Sequence, residues 1–234
     1  MEEAGLEEAG LEEAGQNDAG QDDGRMHPGT PLYCEGAHKP TCRGWFHLAS
    51  ALATPFLMRP AESWDMKTFK LSALLCYMCS AAYHMVRWPT HAMEIFAQKL
   101  DHVAILVLAA GSYMPLTRHI SYAQGAWLAA SSWTAVATGS YFILLRGIGS
   151  PLPKLIASAT LVPLLPTLYT TLPRPAFARL SAALGLYGVG LWMYQTKRPT
   201  LLPHHFGYHE LFHLVISCAG FLTVQLHEQN GARA

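Results

Sequence analysis

The chain has 234 residues, 51% of them hydrophobic and only 14% charged, against roughly 25% charged in an ordinary soluble domain. That balance points to lipid rather than water as the main surrounding and disfavours a large soluble helical protein. The formal net charge of zero averages unlike parts: Met1 to Gly24 hold nine of the sixteen acidic residues and no basic one, leaving sixteen Lys and Arg against seven acids elsewhere.

The first 24 residues run MEEAG-LEEAG-LEEAG-QNDAG-QDDG. A glycine closing every unit penalises a helix, and almost nothing apolar is available to bury, so a disordered acidic appendage is expected, with an acidic docking arm as the alternative. No basic segment precedes an apolar core there, so no cleaved secretory signal is expected. Residues 25–44 are rich in Pro and Gly and read as a linker. Five scattered cysteines suggest no disulfide framework, and the Cys76/Cys79 pair reads as two inert thiols in an apolar run.

Apolar runs then follow one another with short polar joints. Roughly 20 mostly apolar residues cross a bilayer core of about 30 Å as a helix. Spans are expected near Trp45 to Met58, Phe69 to Val86, Leu100 to Leu116, Ala123 to Leu145, Leu155 to Leu172, Ala176 to Tyr194 and Phe206 to Leu226. The first is short and the fifth carries Pro163 and Pro166. The runs lack the period-two alternation of membrane strands, so the expected fold is all-α, a seven-transmembrane helix bundle over 45–228 with a short tail at 229–234. Gly185, Gly188 and Ala183 are small enough to let helices approach closely. Counting Lys and Arg on each side of seven spans gives nine against seven in favour of a cytoplasmic N-terminus.

The last span opens with His209-Glu210-Leu211-Phe212-His213. On a helix, histidines at i and i+4 lie about 40° apart on one face, a spacing at which two imidazoles can share a metal ion. Taken literally this is also the HExxH pattern of zinc proteases, with Glu210 as base. An i, i+4 pair, Ser80 and His84, ends the second span, and Asp101 stands at the start of the third. With seven spans, the end of span two and the starts of spans three and seven share a membrane face, which brings Ser80, His84, Asp101, His209 and His213 to one depth. Three imidazoles with an open fourth position form a catalytic zinc arrangement, in which water becomes acidic near pH 7 and a carboxylate can orient it or take its proton. Singly, each residue has a plainer reading: His84 at the headgroup level, Asp101 as a helix cap, His209 and His213 as a hydrogen-bonded core pair. His102 points about 100° away from Asp101. His204 and His205 sit in a loop, and His119 and His227 belong to the opposite face.

Ser80-x-x-x-His84, Leu100-Asp101-His102-Val103-Ala104-Ile105 running into Ala110-Gly111-Ser112-Tyr113-Met114-Pro115, and His209-x-x-x-His213 together resemble the hemolysin III / progestin and adiponectin receptor family, the likeness extending over about Pro40 to Glu228. The resemblance implies a seven-helix membrane protein with a cytoplasmic N-terminus and a zinc ion near the cytoplasmic face. Its metal ligands would be His84, His209 and His213, with Asp101 holding the zinc-bound water and Ser80 supporting the site. The wider superfamily includes alkaline ceramidases, which implies hydrolysis of a lipid amide, and other members are described as receptors or modulators of signalling. The entry to span one departs from the family: where Glu, Asn and His are common, this chain reads Cys42-Arg43-Gly44-Trp45-Phe46-His47, with no Glu, and His47 is assigned no role.

Three functions follow. The first is a zinc-dependent hydrolase of a lipid amide, with Asp101 and Ser80 in the catalytic set and membrane lipid, including a sphingolipid substrate, as partner. The second is a receptor or scaffold with structural zinc and signalling partners that the sequence does not name. The third is an intramembrane metalloprotease, which lacks a segment downstream of His213 to complete its ligand set. No nucleic-acid partner is expected.

Overall fold

The structure is a computed structural model that describes residues 39–60, 62–147, 152–202 and 205–231. The acidic repeat and the linker up to residue 38 lie outside the described residues, as does His204. The described residues form eight α-helices: α1 (Trp45–Leu57), α2 (Trp64–Met85), α3 (His91–Tyr113), α4 (Tyr122–Arg146), α5 (Leu152–Ala159), α6 (Leu165–Thr171), α7 (Arg174–Thr196) and α8 (Tyr208–Gly231). Among the described residues there is no strand, only an isolated bridge between Leu202 and Phe206.

Four of these segments are long and apolar enough to cross a membrane: His91–His119, Tyr122–Arg146, Arg174–Thr196 and Tyr208–Leu226. The chain is an all-helical integral membrane protein. α2 has the length but begins with Asp65, Lys67 and Lys70, while α1 has only 13 residues and carries Pro55 in its last turn. The fifth expected span is broken where its prolines predicted strain: α5 ends at Ala159, a 3-10 turn follows at Val162–Leu164, and α6 restarts with Pro166 in its first turn, the position where a missing N–H does no harm.

Helix starts follow local chemistry. Ser121 and Gln124 form a reciprocal capping box at α4, each accepting from the other's backbone N–H. Thr90 accepts from the Met93 N–H and starts α3 nine residues before the expected Leu100. That extension removes the helix-cap reading of Asp101, which lies nearly three turns inside α3.

α2 packs along α3, α3 along α4, and α7 along α8, while α1 touches both α2 and α8. The helices approach closely at Gly111 of α3, where an added Cβ would stand 2.3 Å from Ser72 Oγ and 2.5 Å from Ser72 Cβ. Gly185 and Gly188 have no such neighbour: a Cβ at either would meet nothing within 4 Å. The close-approach role expected of them belongs instead to Gly111, and to Gly220 of α8, which faces the Tyr77 hydroxyl. At the end of the bundle remote from the histidines, Arg118 grips Asp65 with Nε to Oδ2 and Nη2 to Oδ1 both at 2.5 Å, joining the end of the third span to the start of α2. At the other end, residues 39–44 are not a free linker, since Lys39 and Arg43 are both buried.

The Gly111 contact sets a stability test. Gly111→Ala forces α2 and α3 apart and is expected to destabilise the protein by about 1–3 kcal/mol, the usual range for overpacking. Gly185→Ala is expected to change stability by less than about 0.5 kcal/mol, or to raise it slightly through helix propensity. Thermal melts of both variants in detergent check the pair.

Candidate metal centre

His84 is in the last turn of α2, and His209 and His213 are in the first two turns of α8. All three are buried, and each offers a ligand atom within 4.8 Å of the other two. The Nε2 atoms of His84 and His209 are 3.1 Å apart. The His84/His209 and His209/His213 rings meet edge to face with centroids 4.6 Å apart in each pair, and the His84 and His213 rings are tilted at 55° with centroids 5.0 Å apart.

This donor set fits a metal ion. Zn–N bonds of about 2.0–2.1 Å in a tetrahedron place neighbouring ligand nitrogens about 3.3–3.4 Å apart, close to the spacing of His84 and His209. His213 Nδ1 is buried without a hydrogen-bond partner among the described residues, whereas buried polar atoms are as a rule satisfied. Three imidazoles and no thiolate leave room for a fourth ligand, the pattern of an open site rather than a closed structural one.

The other expected residues lie around this triad. Asp101 Oδ2 is 3.8 Å from His84 Nε2, and Ser80 is buried one turn before His84. Asp101, Ser80, His209 and His213 share the wall of one cavity of about 360 Å³. His47, which had no assigned role, lines the same cavity and stacks on His213 with centroids 3.9 Å apart and planes at 15°. His102 also reaches the cavity, but its Nδ1 faces Lys154 Nζ at 3.2 Å rather than the triad. His205 is outside the site, with Nδ1 2.7 Å from Thr41 Oγ1, and His119 is at the remote end of the bundle.

Sequence reasoning missed two features. Glu210 is wholly buried, its Oε2 accepts from the Gly207 N–H at 2.7 Å, and its Oε1 is paired with Arg43 Nε. The Gly207-x-x-Glu210 spacing is half of a capping box, a signal present in the sequence but hidden by the HExxH pattern. Lys39 is the second: its ammonium donates to the Tyr83 and Val86 carbonyls and lies 3.6 Å from Glu94 Oε1. Nothing local in the sequence marks it.

The fold and site together define an integral membrane protein of packed helices with a buried three-histidine cluster able to hold a metal ion. A family model described as haemolysin-III related matches residues 35–224, and the chain belongs to that family. The match covers all three histidines of the triad together with Ser80 and Asp101.

Replacing His84, His209 or His213 with Ala is expected to abolish metal retention. His205→Ala, which removes a histidine outside the triad, is expected to leave the metal content of the wild type. Elemental analysis of purified protein distinguishes these outcomes.

Proposed function

We propose that this protein is a seven-span zinc-dependent hydrolase of a lipid amide such as ceramide, with its N-terminus and zinc site at the cytoplasmic face. The seven spans in this reading are α1, α2, α3, α4, the broken α5–α6 pair, α7 and α8. The observation that carries it is a carboxylate beside three imidazoles at the polar end of an apolar cavity. That cavity is bounded at one end by Asp101, His209 and His213 and at the other by Leu116, Thr223 and Leu226. From His209 to Leu226 the wall follows α8 for about 25 Å at 1.5 Å per residue, most of the thickness of a bilayer core. Such a channel suits a substrate with a polar reacting group and a long hydrocarbon chain.

His84, His209 and His213 would hold the ion. When bound, zinc supplies Lewis acidity that polarises a carbonyl and makes water nucleophilic near neutral pH. Asp101 Oδ2 would take the proton of the attacking water as general base and return it to the amine nitrogen as the C–N bond breaks, and its place next to His84 keeps the proton carrier at the reacting end of the cavity. Ser80, one turn from His84, supports that carboxylate end of the wall. Apolar side chains such as Ile216 and Leu184 hold the acyl chain and exclude water from its length.

A receptor or scaffold with structural zinc is the second reading. One observation favours it: the triad joins the ends of α2 and α8, helices whose main packing partners are others. An intramembrane protease is disfavoured because both Glu210 oxygens are engaged, by Arg43 and by the Gly207 N–H, so that carboxylate is not free to act as the base.

Asp101→Asn is expected to keep its zinc and lower lipid-amide turnover by about 10²–10⁴-fold, the usual contribution of a general base. Turnover assays with ceramide in mixed micelles, paired with zinc analysis, check this. Wild-type protein that holds zinc but hydrolyses no lipid amide, and an Asp101→Asn variant with unchanged signalling or partner binding, would favour the scaffold.

A further inference from the structure

The three ligand-bearing residues come from two helix ends, α2 for His84 and α8 for His209 and His213, and something must set the distance between those ends. The segment Lys39 to Gly44 touches both. Lys39 Nζ donates to the Tyr83 carbonyl at 3.2 Å and to the Val86 carbonyl at 3.3 Å, bracketing His84 in the chain. Gly44 is in the left-handed region with φ 84°, and a Cβ there would meet Met85 Cγ at 2.7 Å and His84 Cβ at 3.2 Å. Only glycine allows the segment to lie this close to the histidine.

Between these two contacts Arg43 reaches the other helix. Its guanidinium Nε pairs with Glu210 Oε1, and both side chains are removed from solvent. Glu210 stands next to His209 and three residues before His213. Its second oxygen accepts from the Gly207 N–H, which fixes the first turn of α8 as the N-terminal half of a capping box does. A further tie runs from the Cys42 N–H to the His205 carbonyl at 3.2 Å, just ahead of that turn.

We infer that Arg43 and Glu210 are positioning residues for the histidine triad, with Lys39 to Gly44 acting as the spacer that holds His84 against His209 and His213. The inference rests on the reading that the triad binds zinc. It gives the glutamate of the HExxH pattern a task other than proton transfer: it aims its neighbours on the helix. It also gives Arg43 a partner across 167 residues of chain. Groups that orient metal-binding histidines from outside the ligand set commonly change metal affinity by about 10–100-fold when replaced.

The test is a zinc titration of the full-length protein in detergent, by competition with a chromogenic chelator, together with melting curves of zinc-loaded and zinc-free samples. Glu210→Gln keeps an acceptor for the Gly207 N–H but loses the charge facing Arg43. It is expected to weaken zinc binding by about 10–100-fold and to shrink the rise in melting temperature that zinc produces. Arg43→Met is expected to do the same, and Arg43→Lys to recover part of the affinity. If Arg43→Met does not fold, Glu210→Gln and Arg43→Lys carry the comparison. A merely structural pair would lower both melting curves by the same amount and leave the zinc affinity alone. Glu210→Gln with an affinity within about twofold of wild type, beside a His209→Ala variant that has lost zinc, overturns this inference and spares the triad. Wild-type protein that binds no zinc, or His209→Ala that still binds it, overturns the triad and this inference together.

Discussion

The contact between His84 and His209, Nε2 to Nε2 at 3.1 Å, is the constraint on which the rest of the site depends. An imidazole inside a membrane bundle needs a polar partner, because hydrocarbon offers none and water is excluded. Here three such rings converge, with His213 Nδ1 still buried without a hydrogen-bond partner among the described residues, which requires α2 to stop and α8 to start at the same depth. The helix boundaries respect this: α2 ends at Met85, one residue past His84, and α8 begins at Tyr208, one residue before His209. His47 extends the cluster by stacking on His213, so the short α1 is joined to the same centre.

Charged side chains near the site obey the same rule. Arg43 faces Glu210, Lys39 faces Glu94, and Lys154 faces His102. Each pairs a cation with an acceptor drawn from a distant part of the chain, and each lies at the end of the bundle that carries the histidines. The remote end is held by Arg118 and Asp65. Between these polar layers the cavity walls are mostly apolar, which is why one cavity can offer a reactive group at one end and hydrocarbon contact along its length.

Much of this was readable before any coordinates. The i, i+4 pairs identified His84, His209 and His213 because helical periodicity fixes which residues share a face, and the three histidines do converge. α4 and α7 begin and end within two residues of their expected bounds: a capping box starts α4, and Pro173 and the left-handed Lys197 bound α7. The prolines of the fifth span announced its break. Asp101 was picked out on a partly mistaken basis: α3 starts at His91 rather than Leu100, so the carboxylate meets His84 from well inside its helix. What could not be read were the residues whose surroundings are supplied by remote segments. Arg43 and Lys39 look like solvated charges in a Pro/Gly-rich stretch, and only tertiary packing buries them. Gly111 and Gly185 are alike in sequence, and only the crossing of α2 and α3 tells them apart.

The central claim is that three imidazoles from α2 and α8 hold one zinc ion with an open position. X-ray absorption at the zinc edge of the purified protein tests it directly. The expected signal is a shell of three nitrogens and one oxygen at about 2.0–2.1 Å, with the outer scattering of imidazole rings. A shell containing sulfur at about 2.3 Å, or the absence of bound zinc, would contradict it.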